Sequence, residues 1–162
     1  MPLLGLTATA TIKVKEDMAS RLGIKNKVIY FQSSFNRPNL FYEIRNKKSV
    51  KNVETDIAGL LKTRFKNKCG IIYCISRKNC ESLAESLKRS HGIKCDFYHA
   101  DIAYDKRQAI QTKWMQNKIQ VIIATIAFGM GINKRDVRFV IHAAAPKSLE
   151  GYVQECGRAG RD

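Results

Sequence analysis

The chain has 162 residues, 44% of them hydrophobic, and carries 29 Lys and Arg against 14 Asp and Glu, a formal net charge of +15. That length allows one domain with a real core. It contains nothing near the roughly 20 consecutive apolar residues of a membrane span, and residues 1–10 lack the basic start of a secretory leader.

In chain order, residues 12–22 read as a helix, with Val14, Met18 and Leu22 at a spacing of four and Gly23 as the stop. Val28–Phe31 reads as a short strand and residues 33–39 as a polar turn around Pro38. Leu40–Arg45 reads as a second strand, followed by a basic loop. A repeating pattern then begins. Val53, Ile57, Leu60, Leu61 and Phe65 mark a helix face; Gly70–Cys74 is a buried strand; Cys80, Leu83, Ala84 and Leu87 mark the next helix. Cys95–His99 is a strand, and Ile110 and Trp114 anchor the helix after it. Gln120–Thr125 and Arg138–His142 are strands, and Leu149, Tyr152, Val153 and Cys156 are expected to face inward from a last helix.

Alternating strands and helices of this kind give an α/β fold: a parallel sheet covered by helices on both faces, with ligands at the carboxyl ends of the strands. Five cysteines form no C-x-x-C pair, which speaks against zinc and for buried thiols in a reducing compartment. Cys69 and Cys74, an odd number of positions apart, should point to opposite faces of the sheet.

The charge excess favours a polyanionic partner, nucleic acid first, with a solvated lysine-rich surface as the alternative. It is uneven: residues 1–94 hold 19 Lys and Arg against 7 Asp and Glu, and residues 95–162 hold 10 against 7. The basic excess therefore lies mainly on the early elements.

The most informative residues close the chain, Gln154-Glu-Cys-Gly-Arg-Ala-Gly-Arg-Asp162. Arg158 and Arg161 are three apart with small residues between them, a spacing that puts both on one face of a helix. Two forked donors aimed at one point suit a polyphosphate; a basic helix end stabilised by its dipole is the alternative. Upstream, Val121-Ile-Ile-Ala-Thr-Ile-Ala-Phe-Gly-Met-Gly-Ile-Asn-Lys134 reads as a buried strand running into a glycine loop. Thr125 ends that strand with a hydroxyl and an amide, as a phosphate contact needs. Ile71-Ile-Tyr-Cys-Ile-Ser-Arg77 delivers Ser76 and Arg77 to a helix start. That is a phosphate seat or, equally on these residues, an N-cap serine beside a surface arginine. Tyr98-His-Ala-Asp101 follows the next strand; His99 reads as a strand-end hydrogen-bonding group.

Together with Gly5-Leu-Thr-Ala-Thr-Ala-Thr11, these blocks resemble motifs III, IV, V and VI of superfamily 2 helicases, and their wording resembles the RecQ DNA helicases. The resemblance implies a RecA-like second motor lobe over residues 12–162, preceded by residues 1–11 as an overhang of the first lobe. It implies a 3′ to 5′ helicase that consumes ATP with Mg²⁺, both bound mainly by that first lobe, and that acts on single-stranded DNA and duplex junctions in the nucleus or nucleoid.

Residue by residue, Arg161 would be an arginine finger, worth ~10³–10⁵ in rate, with Arg158 assisting it. Gly131, Asn133 and Gln154 would contact the nucleotide. Ser76, Arg77, Thr125, Lys106 and Arg107 would contact the DNA backbone, and Thr7 and Thr9 would couple the lobes. Asn133 replaces the Asp of many relatives, Asp101 replaces a Gly, and Arg135 replaces a Pro and is expected to add a backbone contact. Asp101 is expected instead to cap the helix that carries Lys106 and Arg107. No G-x-x-x-x-G-K-[ST] and no Asp-Glu pair of the motif II type occurs. The 162 residues alone are therefore expected neither to hydrolyse ATP nor to unwind DNA. A superfamily 2 RNA helicase and a non-catalytic nucleic-acid-binding remnant remain the other readings.

Overall fold

A computed structural model describes residues 3–7, 10–25, 27–32, 34, 36–46, 49–129 and 132–161, the side chains of Val50 and Lys51 excepted. The chain divides into two compact units, residues 1–39 and 40–162.

The first unit holds α1, Ile12–Arg21, which starts where Thr11 accepts the Val14 N–H and stops at Gly23. Of its residues only Ala19 is buried. Val14, Met18 and Leu22, the expected stripe, are 44%, 40% and 52% exposed. The strands expected at Val28–Phe31 here and at Leu40–Arg45 in the second unit do not form. A strand exists only through a ladder that takes up its backbone groups, and neither segment has one among the described residues.

The second unit contains α2 (Val50–Lys62), β1 (Cys69–Tyr73), α3 (Arg77–His91), β2 (Cys95–Tyr98), α4 (Tyr104–Met115), β3 (Val121–Ala124), β4 (Val137–His142) and α5 (Leu149–Cys156). The four strands make one parallel sheet in the order β2-β3-β1-β4. Ile72 of the central β1 sits level with Ile123 of β3 and Ile141 of β4. Alternation along β1 and β3 then divides the core in two, while a register shift between β1 and β4 puts Val137 and Phe139, two apart, in different layers. Ile72, Val121, Ile123 and Phe139 pack with Ile57 and Leu61 of α2 and Cys80, Ala84 and Leu87 of α3. Ile71, Tyr73, Ile122 and Val137 pack with Ile110 and Trp114 of α4 and with Phe128 and Ala159. This is the α/β RecA-like arrangement expected, with helices on both faces. Cys69 and Cys74 fall into opposite layers, as their parity requires.

Serines cap three of the helices. Ser49, Ser76 and Ser148 each accept the N–H three residues on, at 3.1–3.2 Å, worth about 1 kcal/mol apiece. α4 begins after Ala103 with no side-chain cap. Asp101 is therefore not its cap; it is engaged by Arg77.

In α5 the expected inward face is only partly right. Cys156 is buried, but Leu149 and Val153 are 73% and 42% exposed. Glu155 turns in instead, accepting from His142 Nε2 at 2.8 Å, and this fixes the rotation of the helix. All five cysteines are free and buried. Burial pushes the Cys69 and Cys95 thiols up to about 12. No helix among the described residues is long and apolar enough to cross a membrane.

Candidate functional site

Three loops at the carboxyl ends of β1, β2 and β3 enclose an open groove of about 540 Å³, lined by Ser76, Arg77, Lys78, Ala100, Thr125 and Ile126 among others. Ser76 reaches it because β1 ends where α3 begins. Its Oγ caps the helix by accepting from Asn79 N at 3.1 Å, which leaves its O–H free to donate outward. The cap reading and the phosphate-seat reading are therefore compatible. The first amides of a fifteen-residue helix add positive potential at the same place. Thr125 follows β3, half-buried, its N–H held by the Tyr98 carbonyl at 3.3 Å. Of the five residues expected to contact DNA, Ser76, Arg77 and Thr125 meet here.

Arg77 forms an ion pair with Asp101, both side chains 58% exposed. Asp101 makes its turn without a left-handed backbone: the only non-glycine residues with positive φ among those described are Asn67 and Asn117. The Ile102 N–H closes that turn on the His99 carbonyl. His99 is 4% exposed and its Nε2 lies 2.9 Å from Glu81 Oε1, a strand-end hydrogen bond.

Lys106 and Arg107 lie on α4 and do not line the groove. Lys106 stands 5.7 Å from the centre of the Phe97 ring. Arg107 is half-buried, with a buried Nε that has no hydrogen-bond partner among the described residues.

The paired arginines are not on a helix face. α5 ends at Cys156, and Gly157 and Gly160 (φ +62°) carry the chain through a turn that Gly160 N–H ties to Val137 O at 3.2 Å. From that turn both arginines reach the glycine loop. Arg158, only 8% exposed, donates to Gly129 O. Its guanidinium lies so close over Gly129 that a Cβ there would overlap Nη2, so this glycine is required by close approach. The Arg158 Nε is buried and has no hydrogen-bond partner among the described residues. Arg161 is exposed and donates from Nη1 to Ile132 O at 2.9 Å and from Nε to Gly157 O at 3.2 Å. The exposed Asn133 follows Ile132 directly. Gln154 is exposed on α5. Thr7 is exposed outside any helix or strand; Thr9 and Gly131 lie outside the described residues.

Two further placements differ from expectation. The glycine loop does not stay at the carboxyl ends of the strands. It runs back along the α4 face, because β4 must start level with β1 to pair in parallel. Arg135, next to the start of β4, is therefore at the edge opposite the groove and cannot join Ser76 and Thr125.

Lys134 is the residue the sequence concealed. It is 5% exposed, yet its ammonium donates to Met115 O and Asn117 Oδ1, pairs with Asp136 at 2.8 Å and lies 5.4 Å from the Trp114 ring centre. A buried ammonium is tolerated only when its donors are used, and here they fasten the glycine loop to the end of α4. Burial raises the Asp136 carboxyl, but the hydrogen bond and charge of Lys134 outweigh it and hold the group below its usual 3.8.

A model of the helicase conserved C-terminal domain matches residues 53–162. Over its whole length the chain is 52% identical to ATP-dependent DNA helicase Q-like 2 of Arabidopsis thaliana, of which it spans 23%. It is 51% identical to the ATP-dependent helicase SGS1 of Saccharomyces cerevisiae, of which it spans 11%. The chain thus spans about a quarter or less of these relatives. A solved structure, S. cerevisiae Dbp5 bound to RNA and ADP BeF3, superposes on 96% of this chain and 41% of its own with a TM-score of 0.77 at 20% identity, a likeness of fold. The chain belongs to the helicase conserved C-terminal domain family and, within it, to the RecQ branch of superfamily 2.

Proposed function

We propose that residues 40–162 work as the second motor lobe of an ATP-dependent DNA helicase that moves 3′ to 5′, and that residues 1–11 belong with the end of its first lobe. The observation that carries this reading is that Arg158 and Arg161 both end on the Gly129–Asn133 loop. One is buried as a bolt. The other is exposed and, among the described residues, held by carbonyls and by no carboxylate, so that a phosphate group arriving from a facing lobe can take it.

In this mechanism Arg158 keeps the loop in register and Arg161 exchanges the Ile132 carbonyl for the γ-phosphate, neutralising charge that develops in phosphoryl transfer. Asn133 and Gln154 orient the nucleotide from this side. Ser76, Arg77 and Thr125 hold successive backbone phosphates, a sequence-blind grip. Thr7 and Thr9 carry the closure between lobes. Mg²⁺ belongs to the facing lobe in this reading.

The test is DNA-stimulated ATP hydrolysis, measured on residues 1–162 alone and on the same residues joined to a lobe with a Gly-Lys-Ser/Thr loop. The joined form is expected to turn over and to prefer DNA to RNA as activator; the 162 residues alone are expected to be silent. Turnover by the short chain, or stimulation by RNA alone, contradicts the proposal.

A further inference from the structure

The groove does not account for the charge of this chain. Arg77 at its rim is paired with Asp101, and Glu81 of α3, with Asp105 and Glu150 in the first turns of α4 and α5, offsets Lys78, Lys106 and Lys147 at that end. Within the second unit, the loops that run into the strands at the opposite edge of the sheet carry further cations.

Three of these loops are tied together at one residue. Gln120 donates its N–H to Lys94 O at 2.7 Å, accepts from Gly70 N–H at 3.1 Å and reaches Phe65 O with its side chain at 2.8 Å. Gln120 thereby gathers the segments before β1, β2 and β3. These segments carry Lys66, Lys68, Lys94 and Lys118, every one exposed and, among the described residues, without an acidic partner.

Helix dipoles explain the neighbouring cations but not these. Lys62, Lys88, Arg89 and Lys113 occupy last turns of α2, α3 and α4, where the negative helix end favours them. The four loop lysines have no such partner. The acids at this edge are already engaged: Glu43 by Arg45 and Arg64, Asp96 by Lys88, Asp136 by Lys134. Surfaces that only keep a protein in solution intersperse both signs. Four unpaired cations on three stitched loops make a single-sign field instead.

We infer that Lys66, Lys68, Lys94 and Lys118 form a second DNA-backbone contact, which takes a segment other than the strand in the groove. The five residues of β1 separate the two edges by about 16 Å, so one strand seated at the carboxyl ends does not also lie along the amino ends. A fork, with a single-stranded tail and a duplex, offers both segments. Lysine is suited to such a contact, being a point charge that follows phosphates without reading bases. The inference rests on the DNA reading of this chain but not on the groove residues.

The experiment measures binding of the 162-residue chain to a forked DNA and to its single-stranded tail alone, as a function of salt. Lys66→Gln/Lys68→Gln/Lys94→Gln/Lys118→Gln is expected to lower the salt slope on the fork by about 3 to 4, at about 0.9 per phosphate, and to leave the slope on the tail unchanged. A control of equal net charge, Lys13→Gln/Lys15→Gln/Lys25→Gln/Lys27→Gln, should leave the fork preference intact. Arg77→Ala should lower the slope on the tail by about 0.7; its failure with the four-lysine effect intact would sink the groove and spare this inference. An unchanged fork slope, an equal fall on tail and fork, or an equal fall in the control overturns it.

Discussion

Arg158 and Gly129 are fitted to one another: the guanidinium donates to the Gly129 carbonyl and covers the space a Cβ would fill. The contact joins the turn after α5 to the loop after β3 across 29 residues of sequence. It makes one of the two terminal arginines part of the framework and leaves the other exposed.

Gly129→Ala should therefore cost about 1–3 kcal/mol of stability by overpacking, read as a lower urea midpoint. The double variant Gly129→Ala/Arg158→Ala should lose less than the sum of its parts, because the second change removes the clash. Strict additivity would mean that the two residues do not meet.

The Arg77–Asp101 pair is exposed, and exposed pairs are worth about 0–1 kcal/mol. In the proposed mode of binding a DNA phosphate displaces Asp101, whose carboxylate then stands beside the strand. Asp101→Asn should tighten single-strand binding several-fold, while Asp105→Asn on the first turn of α4 should change it less than twofold. Equal effects of the two would reduce Asp101 to one more surface charge.

How far the sequence could be read follows from which interactions are local. β3 was legible because four consecutive apolar residues, Val121–Ala124, are buried on both faces of a parallel sheet. The opposite placement of Cys69 and Cys74 followed from parity. The positions of Arg158 and Arg161 did not: their spacing suits a helix, but Gly157 and Gly160 end it, and the partners are carbonyls of a distant loop. Lys134 was hidden for the same reason, since Met115, Asn117 and Asp136 converge on it only after folding. Leu149 and Val153 look outward because the His142–Glu155 hydrogen bond, invisible to periodicity, sets the rotation of α5.

Burial also governs the thiols. Because burial pushes Cys69 and Cys95 up to about 12, the folded chain should hold almost no thiolate at these positions at pH 8. A maleimide or disulfide reagent should label them slowly in buffer and fully in urea. Rapid labelling of the folded chain would contradict the packing described.

Acid should loosen the Lys134 fastening. The Asp136 carboxyl is held below its usual 3.8 in the fold, so its contribution is fully present above about pH 5 and is lost as pH falls through the lowered folded value. Asp136→Asn should flatten that part of the stability profile measured by thermal unfolding. A profile as steep as the parent's would assign the acid transition to other groups.

The motor reading depends on Arg161, and steady-state ATP hydrolysis by an enzyme that joins this chain to a nucleotide-binding lobe decides its role. Arg161→Ala is expected to cut DNA-stimulated turnover by ~10³ or more while affinity for a single-stranded oligonucleotide stays within about twofold. Turnover near that of the parent, or a matching collapse of DNA binding, would show that this guanidinium serves the fold and not the phosphate.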